Sequence, residues 1–155
     1  MKLTTNIIGA KAIERALMNA SDKLTRKVLL SGMRQAATPI VKAMKANTPV
    51  GDYDHFVYMK GGVSGVHKEG DLRESIGKII GKSKRRPTLY IGPRVKGRFK
   101  YMGYIGHWVE FGKDTGYNVP FAGRRFAQKA YEQAGPQAEA ILEEKILKAA
   151  MKFLK

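Results

Sequence analysis

The chain has 155 residues, a length for one domain, and its 29 Lys and Arg against 13 Asp and Glu leave a formal charge of +16. It contains no cysteine, which excludes disulfides, thiolate catalysis and every Cys-ligated zinc site. A surface so positive attracts polyanions and repels its own copies, so copies that assemble must meet something negative: nucleic acid, an acidic partner face, or both.

A hydrophobic fraction of 43% supports a modest core and argues against wholesale disorder. No apolar run approaches the ~20 residues of a membrane span. The opening Met1 to Ile8 lacks a long apolar core and a cleavage pattern, so no signal peptide is expected there. There is no internal repeat and no low-complexity tract.

Residues from about Gly9 to Asn47 have the pattern of helix. Leu24, Val28, Leu29, Met33, Ala36, Ala37, Ile40, Val41 and Met44 recur at spacings of three and four, one apolar face of an amphipathic helix. Ser21 and Asp22 fit a cap at its start, with a shorter helical piece carrying Ile13 and Leu17 before it. Pro39 inside the pattern predicts a kink, and Thr48-Pro49-Val50-Gly51-Asp52 an end.

Residues 51 to 71, with Gly61, Gly62, Gly65 and Gly70, read as a long inserted loop, functional or mobile. Ser75 to Ile80 and Thr88 to Gly92 are strand candidates, and the polar Gly81 to Pro87 between them predicts a hairpin. A third β segment is expected around Phe99 and Tyr101. Residues 103 to 111 fit a short helix stopped by Gly112, and a strand nearly as well. A helix is expected from Phe121 to Gln133, broken by Gly135-Pro136. A last helix then carries Ile141, Leu142, Ile146, Ala149, Ala150 and Phe153 on its apolar face. The order predicts an α+β fold: a long N-terminal helix and C-terminal helices packed on a small, mainly antiparallel sheet.

The clearest local feature is basic. Lys82, Lys84, Arg85, Arg86, Arg94, Lys96, Arg98 and Lys100 occur with no Asp or Glu among them. On loops flanking one strand they are candidates to contact phosphates without reading bases, or to meet an acidic protein surface. The bland alternative is a solvated hairpin whose lysines keep strand edges from pairing. Tyr53, Phe56 and Tyr58, close to Asp52, Asp54 and His55, suit an arm that packs on a neighbouring subunit. Trp108 and Phe111 are most simply core. Glu110 between them needs a partner if buried, and Arg73 or Arg124 would serve. His55, His67 and His107 have no metal-ligand spacing, no set of groups suits general acid–base work, and no Walker pattern is present.

Three stretches, taken in order, resemble a known family. The first is Thr48-Pro49-Val50-Gly51-Asp52, completed by Gly70-Asp71-Leu72-Arg73-Glu74-Ser75-Ile76. The second is Tyr104-Ile105-Gly106-His107-Trp108-Val109-Glu110-Phe111-Gly112. The third is Val119-Pro120-Phe121 opening a helix. From about residue 10 to 150 this order is similar to the tail-component family of lambdoid and related phages, whose members act as neck or tail-completion proteins. Two departures stand out. Residues Gly51 to Glu69 separate the Pro-Val turn from the Gly-x-Leu-Arg stretch, which the family usually joins directly. Ala122-Gly123-Arg124-Arg125 follows the Pro-Phe pair, where the family usually has another proline.

The resemblance implies a structural virion protein of the head-to-tail junction, with neither catalytic residues nor a cofactor, assembled in the host cytoplasm into a ring around the DNA channel. The expected partners are further copies of the chain, in a sixfold ring, a head-completion or connector protein, and a tail terminator or tail tube protein. Double-stranded DNA in the channel, held without sequence specificity, is also expected, and no membrane. Subunit interfaces are expected at Tyr53, Phe56, Tyr58, Trp108, Glu110, Phe111 and Phe121. The rival reading is a basic, sequence-independent nucleic-acid-binding protein acting as a monomer or dimer, which accounts for the charge but not for the ordered motifs.

Overall fold

A computed structural model describes residues 22–51, 55–59, 62–83, 87–113 and 121–153. The expected cap at Ser21 and the helical piece around Ile13 and Leu17 lie outside these residues. Helix α1 (Asp22–Asn47) runs through Pro39. It buries Ala36, Ala37 and Met44 and exposes the opposite side. Its end is fixed by Thr48, whose backbone N–H and Oγ1 both donate to the Met44 carbonyl, at 3.0 and 2.6 Å. Pro49 then disfavours a further helical turn.

The inserted segment holds an antiparallel hairpin of β1 (His55–Met59) and β2 (Gly62–His67), with a bulge at Val57/Tyr58. The expectation of an unstructured loop is therefore corrected. Its aromatic and β-branched residues suit a pleated ribbon, and the surrounding glycines hide that pattern. The Asp71 to Ser75 stretch is a single helical turn, α2 (Asp71–Ser75), entered through Gly70 at φ 79. The Asp71 carboxylate accepts the Lys68 N–H at 3.0 Å, and Ser75 Oγ donates to the Leu72 carbonyl at 2.7 Å.

The predicted hairpin follows: β3 (Ile76–Ile80) and β4 (Leu89–Pro93), antiparallel with Ile76 opposite Pro93 and Ile80 opposite Leu89. Phe99 and Tyr101 are not in a strand. Gly97–Phe99 is a 3₁₀ turn, entered at positive φ by Gly97, and it leads directly into α3 (Met102–Phe111). Gly112, at φ 87, stops α3 as expected. The chain continues as β5 (Gly112–Lys113), paired antiparallel with β6 (Phe121–Ala122).

Helix α4 (Phe126–Phe153) is a single element. Two expectations are corrected here. Phe121 lies in β6, not at a helix start, and Gly135-Pro136 does not divide the helix. The buried Gly135 makes room for the Tyr131 ring, which lies against it and donates its hydroxyl to Glu139 at 3.2 Å. Antiparallel packing on α1 supports the helix on both sides of the proline: Asn47 Nδ2 donates to Gln133 at 2.9 Å, and Gly32 faces Leu142. Tertiary packing thus outweighs a local breaker. The core cluster of Met44, Ile76, Phe126 and Ala130, flanked by Val41, Ile91 and Val109, joins both long helices to the hairpin and α3. The fold is α+β, as expected.

Candidate assembly interface

Helix α3 carries two chemically different faces. Met102, Gly106 and Glu110 are buried, and Gly106 fits because any Cβ there would meet the Pro93 ring at 2.7 Å. On the other face Tyr104, Trp108 and Phe111 are 66%, 38% and 58% exposed. At about 100° per residue these three fall within ~60° of one another around the axis. The expectation that Trp108 and Phe111 are core is corrected. Their neighbour Val109 takes the inward position, and the spacing of four and three places the aromatics together outside. His107 leans on Phe111 at a centroid distance of 4.9 Å, and the Arg125 guanidinium lies over the same ring at 5.7 Å. Val95 is also exposed and packs against Gly103 at the start of the helix.

The rigidity of this face comes from a reciprocal cap. Any helix leaves N–H groups unsatisfied at its start and carbonyls at its end. Here α3 and α4 satisfy each other. The buried Glu110 carboxylate accepts the Ala127 N–H at 2.8 Å and the Gln128 N–H at 3.2 Å, the role of an N-cap side chain supplied from a distant element. In return, the Arg124 and Arg125 N–H groups donate to the Val109 and Glu110 carbonyls at 2.7 and 3.2 Å. Glu110 is therefore partnered by a helix start, not by Arg73 or Arg124 as expected. Arg73 instead donates to the Thr48 carbonyl at 3.0 Å. Gly123 makes the return path possible, since a Cβ there would lie 2.3 Å from the Glu110 carbonyl oxygen.

The described basic candidates lie at opposite ends of the β3–β4 hairpin, about 16 Å apart for a five-residue strand. Lys82 is exposed at the tip; Lys84, Arg85 and Arg86 lie outside the described residues. At the other end Arg94 donates to the Ser75 and Glu74 carbonyls, each at 3.1 Å, closing the end of α2. Arg98 pairs with Glu74 and, at 3.6 Å, with Asp71, and stacks on Phe99. Lys100 lies over the Tyr101 ring at 5.3 Å, and Lys96 is exposed. Arg94 and Arg98 thus have structural duties, and among the described residues Lys82 lies apart from the Arg94 to Lys100 group.

Of the aromatic candidates, Tyr53 lies outside the described residues, while Phe56 and Tyr58 belong to β1, opposite Val66 and Val63. Phe121 pairs with Lys113 in β6. Sequence reasoning missed Tyr104, one turn before Trp108; the spacing 104, 108, 111 was the available signal. Among the described residues no three His, Asp or Glu side chains converge as a metal site, and no helix is long and apolar enough to cross a membrane.

Comparison with curated proteins and with solved structures finds no match. A family model, described as "Bacteriophage HK97-gp10, putative tail-component", matches residues 11–112. That span holds α1, both hairpins and the whole of α3. It covers well over half of the chain: the protein belongs to this family of bacteriophage tail components.

Proposed function

We propose that the protein is a non-enzymatic structural subunit of the phage head-to-tail junction, a neck or tail-completion protein. Copies form a ring, sixfold like the tail it meets, around the DNA channel. One face of the ring meets the head-completion or connector protein and the other the tail terminator or tube. The observation that carries this reading is the outward aromatic face of Tyr104, Trp108 and Phe111, held on a helix capped at its C-terminal end, in a chain of a tail-component family. Exposed aromatics in register are characteristic of the anchoring centre of a protein interface. Tyr53, Phe56, Tyr58 and Phe121 are further interface candidates, and Lys82, with its neighbours Lys84, Arg85 and Arg86, is a candidate to meet DNA or an acidic partner.

Electron microscopy of particles from a phage lacking this gene tests the reading. Separate filled heads and unattached or malformed tails are expected. Normal, infective tailed particles would overturn it. A monomeric nucleic-acid-binding role accounts for the charge but gives the aromatic face no work.

A further inference from the structure

The charges of this chain are segregated along the sequence. No Asp or Glu occurs between Lys23 and Gly51, or between Ser75 and Val109, whereas Ala130 to Glu144 of α4 has four Glu and no Lys or Arg. The fold brings the two acid-free blocks together. Lys78 of β3 donates to the Arg34 carbonyl and, at 2.7 Å, to Thr38 Oγ1. At the hairpin tip the Ser83 carbonyl accepts from Arg26. Helix α1 and the hairpin are thereby fixed as one cationic unit.

On α1 the exposed residues are Lys27, Ser31, Arg34, Gln35, Thr38, Lys42 and Ala46, with Lys45 half-buried. At about 100° per residue Lys27, Arg34, Lys42 and Lys45 lie within ~80° of one another, opposite the buried Ala36, Ala37 and Met44. None of these four cations is paired with an acid among the described residues. From Lys27 to Lys42 the stripe is about 22 Å long at 1.5 Å per residue. Small polar side chains, Ser31 and Thr38, lie between the cations and leave room for a backbone to approach.

We infer that this outward stripe of α1, with Lys82 beside it, is the surface that faces double-stranded DNA and contacts its phosphates without reading sequence. Duplex DNA carries a charge about every 1.7 Å, so a stripe of this length runs past about a dozen phosphates. A second copy of the chain is a poorer fit. Even if all 13 acidic residues were paired, 16 cations would remain unbalanced. The loop from Arg94 to Lys100 is not part of the surface, because Arg94 and Arg98 are engaged at α2. The inference takes its setting from the proposed ring but reads a different property.

The test is binding of the intact protein to a short mixed-sequence duplex, as a function of salt. Two charge-matched variants are compared: Lys27→Gln with Arg34→Gln and Lys42→Gln, and Lys96→Gln with Lys100→Gln and Lys129→Gln. All six positions are exposed and Gln is a good helix former, so both variants should fold, which circular dichroism verifies. The α1 variant should lower the log–log salt slope by about 3 and weaken binding on the order of 100-fold at about 0.15 M salt. The control should keep the wild-type slope. Equal losses in both variants, no loss in the α1 variant, or no duplex binding by the wild type would each overturn the assignment. So would an α1 variant that loses ring assembly but binds DNA normally, since the stripe would then face an acidic protein surface. Duplex binding through α1 by a protein that forms no rings would sink the ring and leave this surface standing.

Discussion

The Glu110 carboxylate accepts the Ala127 N–H at 2.8 Å, so a residue in the last turn of the aromatic helix also caps the start of the long C-terminal one. Buried at 8% exposure and aimed at a helix start, this carboxylate stabilises through charge-assisted hydrogen bonds and the helix dipole together. Glu110→Ala strands two amides and should cost ~2 kcal/mol of unfolding free energy. Glu110→Gln keeps an acceptor and should cost about half as much. Urea denaturation of the three proteins measures both, and equal stability of wild type and Glu110→Ala would refute the cap.

Gly123 is held at the same junction. Its substitution by Ala places a Cβ against the backbone of Glu110 and Phe111, which cannot move aside as a flexible side chain would. Gly123→Ala should destabilise by ~3 kcal/mol, at the upper end of overpacking penalties. It should also loosen the Arg124 and Arg125 contacts, seen as faster amide exchange at both residues. A melting temperature equal to wild type would show that the close approach is not retained.

The exposed aromatics separate assembly from folding. Tyr104→Ser with Phe111→Ser removes outward side chains and should change monomer stability by less than ~1 kcal/mol. The same double variant should fail to form rings in electron micrographs. Rings of normal size from that variant would move the interface elsewhere.

Lys78 bridges the hairpin to α1 in the turn before Pro39, where it meets the Arg34 carbonyl and Thr38. Lys78→Met keeps the aliphatic stem and removes the donor, and should cost ~1 kcal/mol. Thermal unfolding at low and high salt checks this. Most of the loss should persist in high salt, because the partners are neutral oxygens.

The Glu144 carboxyl is held below its ordinary value of 4.5 by the hydrogen bond from Lys148 and by the lysine's charge. A depressed acid contributes stability above its unfolded value and loses it as pH falls through the folded one. The melting-temperature difference between wild type and Glu144→Gln should therefore be small near neutrality and vanish in acid. It should also shrink with salt, since the pair is exposed. A difference that grows as pH falls would reverse the assignment.

What the sequence disclosed followed the strength of its periodicity. Helix α1 and the β3–β4 hairpin were legible because their apolar spacing and turn residues act locally. The β1–β2 ribbon was not, because glycines interrupt its alternation. Pro136 misled because a breaker is judged locally, while α1 holds the helix together on both sides of it. For the interface, the aromatic identities of Trp108 and Phe111 were visible but their direction was not. Direction on a short helix depends on which side Met102, Gly106 and Val109 find the core. The partner of Glu110 was invisible for a related reason: a helix start offers amides, which no side-chain inventory records.

Away from the Met44–Phe126 cluster, the buried residues along the α1–α4 pair are mostly alanine: Ala36 and Ala37 on α1, Ala134 and Ala138 on α4, with Gly32 against Leu142. Such a seam is already near its minimum size. Truncation, the commonest way to damage a core, has almost nothing here to remove, and variation can act only by swelling the joint and prising the two rods apart. Tolerance along it should be one-sided: serine or glycine admitted at modest loss, valine and anything larger refused.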